Sequence, residues 1–260
     1  MSTLTHSEPV VEPNRRTHQL DLGRATGFLF GIGTQLLFLL TVVYLFLFLR
    51  YCSGTSYAGW WWSDALMAAG FAVPHSILLA PPVQKWMRGW LPAGLVGCLH
   101  CTVTCVTLLL MFGFWGSSGV VLWEAGGWVK SLILGCFYLS WVALLYSLYC
   151  TGLGYHTGLT QWWYWWTQTK PPRRPFLTSG AFRYMRHPVY MSFLGLVWFT
   201  PTMTLDHAIL TTVWTIYIYA GSWFKDRRLL HFIGEDYRAY ARRVPGLPLI
   251  GFGSLNRFKA

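Results

Sequence analysis

The chain has 260 residues, of which 54% are apolar and only 11% are charged. A soluble domain carries about 25% charged residues, so the composition argues against one, and several apolar runs of about 18 residues or more favour membrane-spanning helices. The formal net charge of +11 does not indicate a nucleic-acid partner, because the basic residues lie between the apolar runs, where the lipid bilayer is the expected partner.

The apolar runs predict an all-α, polytopic membrane protein with about six transmembrane helices. A polar tail, residues 1–26, comes first, and no cleavable signal peptide is expected because the first apolar run is too long. The predicted spans are residues 27–49, 58–79, 93–115 and 128–150, followed by a helical hairpin made from 189–224 that is divided at 201–206. The second span is expected to be interrupted at Pro74, and an amphipathic helix is expected around 227–242.

The basic residues predict the orientation of these spans. Of the twenty Lys and Arg residues, all but Arg50 and Lys130 fall on one side of the six predicted spans. Loops rich in Lys and Arg face the cytoplasm. Both termini are therefore expected to be cytoplasmic, in a protein of the cytoplasmic membrane.

The densest polar segment between two apolar runs extends from Gly180 to Tyr190 and contains Arg186 and His187 directly before Pro188. Proline is tolerated in the first turn of a helix, so Arg186 and His187 are expected where a helix enters the membrane. Free backbone N–H groups at that place favour an anion. A lipid-headgroup anchor needs only charge, whereas this segment also holds His, Pro and Tyr at fixed spacing, which favours a binding site.

The segment Arg186-His-Pro-Val-Tyr190 resembles the signature of the integral-membrane S-adenosylmethionine-dependent methyltransferases, which include the isoprenylcysteine carboxyl methyltransferases. In that family a helical hairpin, an acidic pair and a Gly-x-x-Tyr-x-x-Tyr segment follow. This chain has Lys225-Asp226 in place of the acidic pair, and then Gly234-Glu-Asp-Tyr-Arg-Ala-Tyr240. The first acid of the pair is thus replaced by a lysine.

Two segments upstream are similar to a bacterial branch of the same family. They are His75-Ser76 and Gly158-Leu-Thr-Gln161. That branch includes the methanethiol S-methyltransferases and accessory proteins of nitrite and nitric-oxide reduction. The resemblance implies a substrate cavity within residues 27–150 and a cofactor pocket within residues 151–260.

The resemblance also implies S-adenosylmethionine as the cofactor. Arg186 and His187 are expected at its carboxylate, Asp226 at its ammonium group, and tyrosine side chains beside its adenine. The full set of expected cofactor-binding residues is Gln161, Tyr184, Arg186, His187, Pro188, Tyr190, Asp226 and Arg227.

His75, Tyr155 and His156 are the candidate catalytic residues. An ionisable residue inside a span favours a functional role, and an imidazole near neutral pH can take a proton from a thiol. A purely structural role in packing accounts for His75 equally well. Likewise, Tyr155 and His156 could simply cap the end of a helix at the membrane interface. No metal is expected, because Cys98, Cys101 and Cys105 lie on one face of a helix and cannot surround one ion.

These observations predict transfer of a methyl group from S-adenosylmethionine to a small thiol, with methanethiol as the expected acceptor and dimethyl sulfide as product. One alternative acceptor is an isoprenylcysteine carboxylate or another lipid-like molecule, which needs no base. An alternative of another class is a non-catalytic membrane factor, or a haem or quinone redox protein that uses His75, His100 and His187. The sequence does not predict the oligomeric state.

Overall fold

The computed structural model describes residues 22–51, 56–172, 176–248 and 255–258. These residues are mainly helical, as predicted, and form ten helices and one pair of short strands. In chain order the helices are α1 (Leu22–Tyr51), α2 (Trp60–Leu78), α3 (Pro81–Met87), α4 (Val96–Gly113), α5 (Gly127–Thr151), α6 (Leu153–His156), α7 (Leu159–Trp166), α8 (Pro188–Trp198), α9 (Leu205–Ile233) and α10 (Glu235–Arg243). The strands are β1 (Val121–Glu124) and β2 (Thr202–Thr204).

The apolar helices give the chain the character of a multi-pass membrane protein. Three helices, α1, α4 and α5, are long and apolar enough to cross a membrane, and the bent pair of α2 and α3 makes a fourth if it counts as one span. Helix α8 is apolar but has only 11 residues. The count of six spans and the cytoplasmic position of both termini therefore stay predictions.

The polar tail ends earlier than residue 26, because α1 begins at Leu22. Contacts made by the first turn account for the difference. The hydroxyl group of Thr26 donates to the Leu22 carbonyl at 3.0 Å, and the guanidinium of Arg24 donates to the Trp166 carbonyl at 2.9 Å. Residues 1–21 of the predicted tail lie outside the described residues.

The predicted interruption of the second span at Pro74 is wrong. Helix α2 continues through Pro74 to Leu78, and the chain then bends by 72° into α3. The two prolines that follow, Pro81 and Pro82, have no N–H to donate, and the first of them holds Ala80 in an extended conformation with ψ 134°. The bend therefore comes from the proline pair beyond the helix and not from Pro74.

The amphipathic helix predicted around residues 227–242 is in fact divided. Helix α9 runs to Ile233, and Gly234, with φ 72°, separates it from α10. Only glycine adopts this backbone conformation without strain. Residues 227–233 thus continue the long helix of the predicted hairpin, and α10 starts a new direction.

Six helices close into a ring. Helix α2 packs on α4, α4 on α6, α6 on α5, α5 on α8, α8 on α9, and α9 again on α2, while α1 packs against α4, α5 and α7. One end of the ring, here called the ribbon end, carries the antiparallel pair of β1 and β2, which the sequence did not predict. The other end, called the motif end, carries Arg186 and His187. The largest apolar cluster fills the half of the ring toward the ribbon end and consists mainly of Leu45, Phe48, Ala68, Leu108, Met111, Trp115, Phe137, Leu196, Val197, Leu210 and Trp214.

Candidate functional site

The Arg-His-Pro motif is attached to the C-terminal segment of the chain. His187 is the residue before α8, and Pro188 is the first residue of that helix. The backbone N–H groups of Arg186 and His187 donate to the carbonyls of Pro245 at 2.9 Å and Gly246 at 3.1 Å. The motif and the segment after α10 therefore form one unit, although about sixty residues separate them in sequence.

Asp226 joins α9 to this unit through a buried polar cluster. The guanidinium of Arg186 donates to Oδ2 of Asp226 at 2.8 Å, and Nε2 of His187 lies 3.0 Å from Oδ1. The hydroxyl group of Tyr237, from α10, donates to the same Oδ1. Each of the four residues is at most 2% exposed.

Arg186 directs its other N–H groups to backbone carbonyls. It donates to Val244 at 2.7 Å, to Asn256 at 3.1 Å and to Ala241 at 3.2 Å. Its guanidinium carbon lies 4.8 Å from the centre of the Phe258 ring. Arg186 therefore binds the C-terminal segment to the start of α8.

The charges in this cluster follow from its contacts. Burial by itself raises the pKa of Asp226, but His187, Arg186 and Tyr237 outweigh burial and hold that pKa below its ordinary value. Burial lowers the pKa of His187, and this effect exceeds the opposite influence of Asp226. At neutral pH the cluster thus holds a charged carboxylate, a charged guanidinium and a neutral imidazole.

Helix α9 presents a second set of residues to the interior of the ring. Tyr217, Gly221, Lys225 and Arg228 follow one another at intervals of three or four residues and share one side of the helix, here called the inner face of α9. The Tyr217 hydroxyl lies 3.1 Å from Oγ of Ser76 in α2, and Nζ of Lys225 lies 5.2 Å from the centre of the Tyr190 ring. The inner face therefore borders both α2 and α8.

His75 lies on α2 beside this face, at the motif end of the ring. Its Nδ1 is 3.2 Å from Oγ1 of Thr104, and the Thr104 hydroxyl donates to the His100 carbonyl at 2.8 Å. Because the Thr104 proton is used in that bond, its oxygen accepts from N–H at Nδ1 of neutral His75. Nε2 of His75 is then the nitrogen with a free lone pair, which is the state that a general base requires.

Tyr155, His156 and Gln161 lie on α6 and α7, next to one another at the same end. Nε2 of Gln161 donates to the Tyr155 carbonyl at 3.2 Å, and Nε2 of His156 lies 2.8 Å from Oγ1 of Thr151. His156 also interacts electrostatically with His75. Oε1 of Gln161 is buried and has no hydrogen-bond partner within the described ranges.

Glycine allows the turn between α6 and α7 to approach α4 closely. Gly158 has φ 79°, and a Cβ atom at that position would lie 2.3 Å from the backbone nitrogen of Cys98. No other residue type fits there without moving the chain. The contact fixes the position of Gln161 relative to α4.

Two of the predicted cofactor residues lie apart from the interior of the ring. Tyr184 is 68% exposed. The guanidinium carbon of Arg227 lies 3.8 Å from the centre of the Trp223 ring, on a face of α9 other than the inner face. A cavity of about 320 Å³ borders that side and is lined by Trp223, Asp226, Arg227, Leu230 and Phe258. The structure thus groups Arg186, His187, Pro188, Tyr190 and Asp226 and separates Tyr184 and Arg227 from Tyr190.

Sequence reasoning missed several members of the site. The spacing of Tyr217, Gly221, Lys225 and Arg228 is a signal that could have revealed the inner face. His100, which contacts His75, was considered only as a haem or quinone ligand, and Thr104 on the same helix carries no signal of its own.

Several proteins similar to this chain are methanethiol S-methyltransferases. A methanethiol S-methyltransferase of Pseudomonas deceptionensis is 30% identical over 182 residues, which are 70% of each chain. One from a Pseudomonas species is 28% identical over 244 residues, which cover 89% of this chain and 94% of that protein. Nurim of Rattus norvegicus is 29% identical over 168 residues, which cover 60% of this chain and 62% of Nurim. No family model and no solved structure matches the chain.

Proposed function

The chain belongs to the membrane methyltransferase family that includes the methanethiol S-methyltransferases, and from this we propose that it methylates a small thiol. We take S-adenosylmethionine as the methyl donor and methanethiol as the acceptor. The observation that carries the proposal is the position of Nε2 of His75, a free lone pair beside the inner face of α9.

The motif end of the ring has the groups that a zwitterionic donor with an adenine needs. Gln161 offers a buried oxygen that lacks a partner within the described ranges, and Tyr190 offers an aromatic ring. His187 stacks on Tyr190 with ring centres 5.3 Å apart, which fixes the orientation of that ring. Arg186, His187, Pro188 and Asp226 then hold the start of α8 in place. Direct contacts of these four residues with the donor, as well as those of Tyr184 and Arg227, stay predictions.

His75 would act on the acceptor. When bound, S-adenosylmethionine supplies an electrophilic methyl carbon on a sulfonium, and the bond to that sulfur breaks with its electron pair left on the sulfur. The thiol of methanethiol has a pKa not far above that of cysteine, about 8.5. Nε2 of His75 can accept its proton as the sulfur forms the new bond to carbon. Tyr155 and His156 stand at the rim, where they would separate donor and acceptor from water.

The apolar surroundings of His75 suit a small thiol. Phe71 lies 5.5 Å from His75 and 5.5 Å from Trp214, measured between ring centres. The apolar cluster closes the ring just beyond them, toward the ribbon end. Such apolar surroundings suit a methyl thiol, whereas a prenylated cysteine needs an opening to the bilayer.

The membrane arrangement that we propose keeps six spans with both termini in the cytoplasm. Helix α8 is about 16 Å long, roughly half the hydrocarbon thickness of a bilayer. It would cross together with the turn before α9, whose 29 residues are long enough alone. Reporter fusions at the two termini should both give the cytoplasmic signal. Opposite signals at the two termini would mean an odd number of spans.

Titration of the detergent-purified chain with S-adenosylhomocysteine tests the donor, and release of dimethyl sulfide from methanethiol tests the acceptor. Binding together with dimethyl sulfide production is the expected result. Binding with methylation of a prenylcysteine instead of methanethiol would replace the acceptor. A folded protein that binds no S-adenosylhomocysteine would contradict the proposed function and lead to a search for haem by its visible absorbance.

A further inference from the structure

Two cations on the inner face of α9 form no ion pair among the described residues, although the carboxylate of Asp226 attracts Lys225 from the next position. Nζ of Lys225 contacts only the Tyr190 ring, at 5.2 Å from its centre, and the Arg228 side chain makes no hydrogen bond or ion pair within those residues. Both side chains are half-buried. By contrast, both terminal nitrogens of the Arg186 guanidinium donate to Asp226 or to backbone carbonyls.

The spacing of the two cations makes an anion between them favourable. Lys225 and Arg228 are three residues apart, so their side chains are neighbours on the helix surface. Like charges at this spacing repel, and the repulsion is larger where burial removes water. One negatively charged group that contacts both side chains would convert this repulsion into attraction.

The direction of the two side chains shows where the anion would lie. Arg228 interacts electrostatically with His75, His100 and Tyr190, which all border the interior of the ring. Gly221 adds no side chain between the two cations and Tyr217, and a Cβ atom there would already be in van der Waals contact with Tyr190, at 3.7 Å from its hydroxyl oxygen. The anion would therefore lie between α9, α8 and α2, inside the ring.

We propose that Lys225 and Arg228 bind the carboxylate of the methionine part of the methyl donor. This inference rests on the proposed function, since it takes S-adenosylmethionine as the donor. The planar guanidinium of Arg228 matches the two oxygens of a carboxylate, and Lys225 adds a point charge beside it. The lysine that replaces the first acid of the family's pair then has a function, since an acid at this position would repel the carboxylate.

Isothermal titration of the detergent-purified full chain with two ligands tests this assignment. S-Adenosylhomocysteine has the carboxylate, whereas 5′-methylthioadenosine lacks the whole amino-acid part. We expect Lys225→Gln and Arg228→Gln each to weaken S-adenosylhomocysteine binding by about tenfold or more, the loss typical of a hydrogen bond to a charged group. The affinity for 5′-methylthioadenosine should change less than about twofold, and Lys225→Arg should restore most of the S-adenosylhomocysteine affinity.

Arg238→Gln is the matched control. Arg238 is exposed and paired with Glu235 on α10, so this variant also loses one positive charge from the same end of the protein. It should bind both ligands as the unchanged chain does. Circular dichroism and the unfolding temperature of each variant show that it is folded.

Four outcomes would contradict the assignment. Unchanged S-adenosylhomocysteine affinity in both variants would overturn the assignment of the carboxylate but leave the proposed function intact. Equal losses for both ligands would show a general change in the pocket. A larger loss of S-adenosylhomocysteine affinity in Arg227→Gln than in Arg228→Gln would place the carboxylate beside Arg227 and not on the inner face. Competition by phosphatidylglycerol that disappears in Arg228→Gln would identify a lipid phosphate as the anion. If the unchanged chain binds neither ligand, the proposed function itself fails.

Discussion

The guanidinium of Arg186 donates to the carboxylate of Asp226 at 2.8 Å, and the two side chains are 1% and 3% exposed. This contact links the start of α8 to the last turns of α9, forty residues later. Since Arg186 also donates to carbonyls of the C-terminal segment, three separate parts of the chain meet at one ion pair.

Removal of the charge at Asp226 should therefore destabilise the fold. Asp226→Asn leaves the Arg186 charge buried without its partner, and breaking one partner of a buried pair costs about 3–5 kcal/mol. We expect a clear fall in the unfolding temperature, measured in detergent by circular dichroism. Glu235→Gln, which breaks the exposed pair with Arg238, should change that temperature little, because exposed pairs contribute at most about 1 kcal/mol. Similar shifts in both variants would show that the buried pair is not a main source of stability.

Stability should also fall on mild acidification. The pKa of His187 in the folded protein is below its ordinary value, chiefly because of burial. Below a pH of about 6.5 the unfolded chain therefore binds a proton that the folded protein does not, and stability falls by up to about 1.4 kcal/mol per pH unit. The pKa of Asp226 is also held low, so that it adds a loss in the same direction only below a pH of about 4.

The test compares unfolding temperatures between pH 7.5 and 5.5 for the unchanged chain and His187→Gln. The charged and titratable groups around His187 are Arg186, Asp226 and Lys225, with Tyr190 stacked on its ring. These groups are present in both proteins, and the difference between the two curves thus isolates His187. We expect a shallower dependence in the variant. Two parallel curves would show that His187 takes up no proton in this range.

Replacement of His75 should affect turnover and not donor binding. We expect His75→Ala to lower kcat by about 10²- to 10⁴-fold near neutral pH, the usual contribution of a general base. The loss should shrink as the pH rises above about 8.5, because the thiol then ionises without a base. The affinity for S-adenosylhomocysteine should stay constant. His231→Ala, at an exposed position near the end of α9, is the control. If His75→Ala turned over as fast as His231→Ala, His75 would have a packing role only.

A single methyl group at Gly158 should detach the turn between α6 and α7 from α4. Gly158→Ala places a Cβ atom 2.3 Å from the Cys98 nitrogen and forces alanine to a φ of 79°. The strained backbone and the overlap together cost about 2–5 kcal/mol. Gly135→Ala on α5 is the control, because no atom lies within 4 Å of its added Cβ. A variant at Gly158 as stable as the control would mean that α7 does not depend on this contact.

The sequence was sufficient for those parts of the fold that are local. The long apolar runs predicted α1, α2, α4 and α5 within a few residues, and the Arg-His-Pro segment marked the start of α8. The pairing of β1 with β2 was not predictable, because strands of four and three residues carry no pattern and pair across about eighty residues. The break in the second span was wrongly placed at Pro74, because one proline inside a helix was given more weight than the two prolines that follow it.

The candidate site was harder to predict, because a sequence does not show whether a charge is bound by a ligand or by the protein itself. Arg186 and Asp226 were both expected at the donor, yet the structure pairs them with each other. The carbonyls that surround Arg186 come from the backbone, which has the same acceptor at every position. The sequence identified Lys225 as the replacement of an acid, but only the packing of α9 on α2 and α8 places it with Arg228 on the inner face.

The β1–β2 pair makes the two ends of the ring mechanically unequal. At the ribbon end, backbone hydrogen bonds join Ala125 to Pro201 and Leu205 to Val120, and the Asp206 carboxylate accepts from the Ser118 hydroxyl. At the motif end, backbone hydrogen bonds join the start of α8 to the C-terminal segment, whereas α2 is joined to α4 and α9 by side chains, His75 to Thr104 and Ser76 to Tyr217. Any motion that admits a ligand will therefore turn about the ribbon as a pivot. From Leu205 to Arg228, α9 is about 35 Å long. A rotation of only about 3° about the ribbon end therefore moves the other end of α9 by roughly 2 Å.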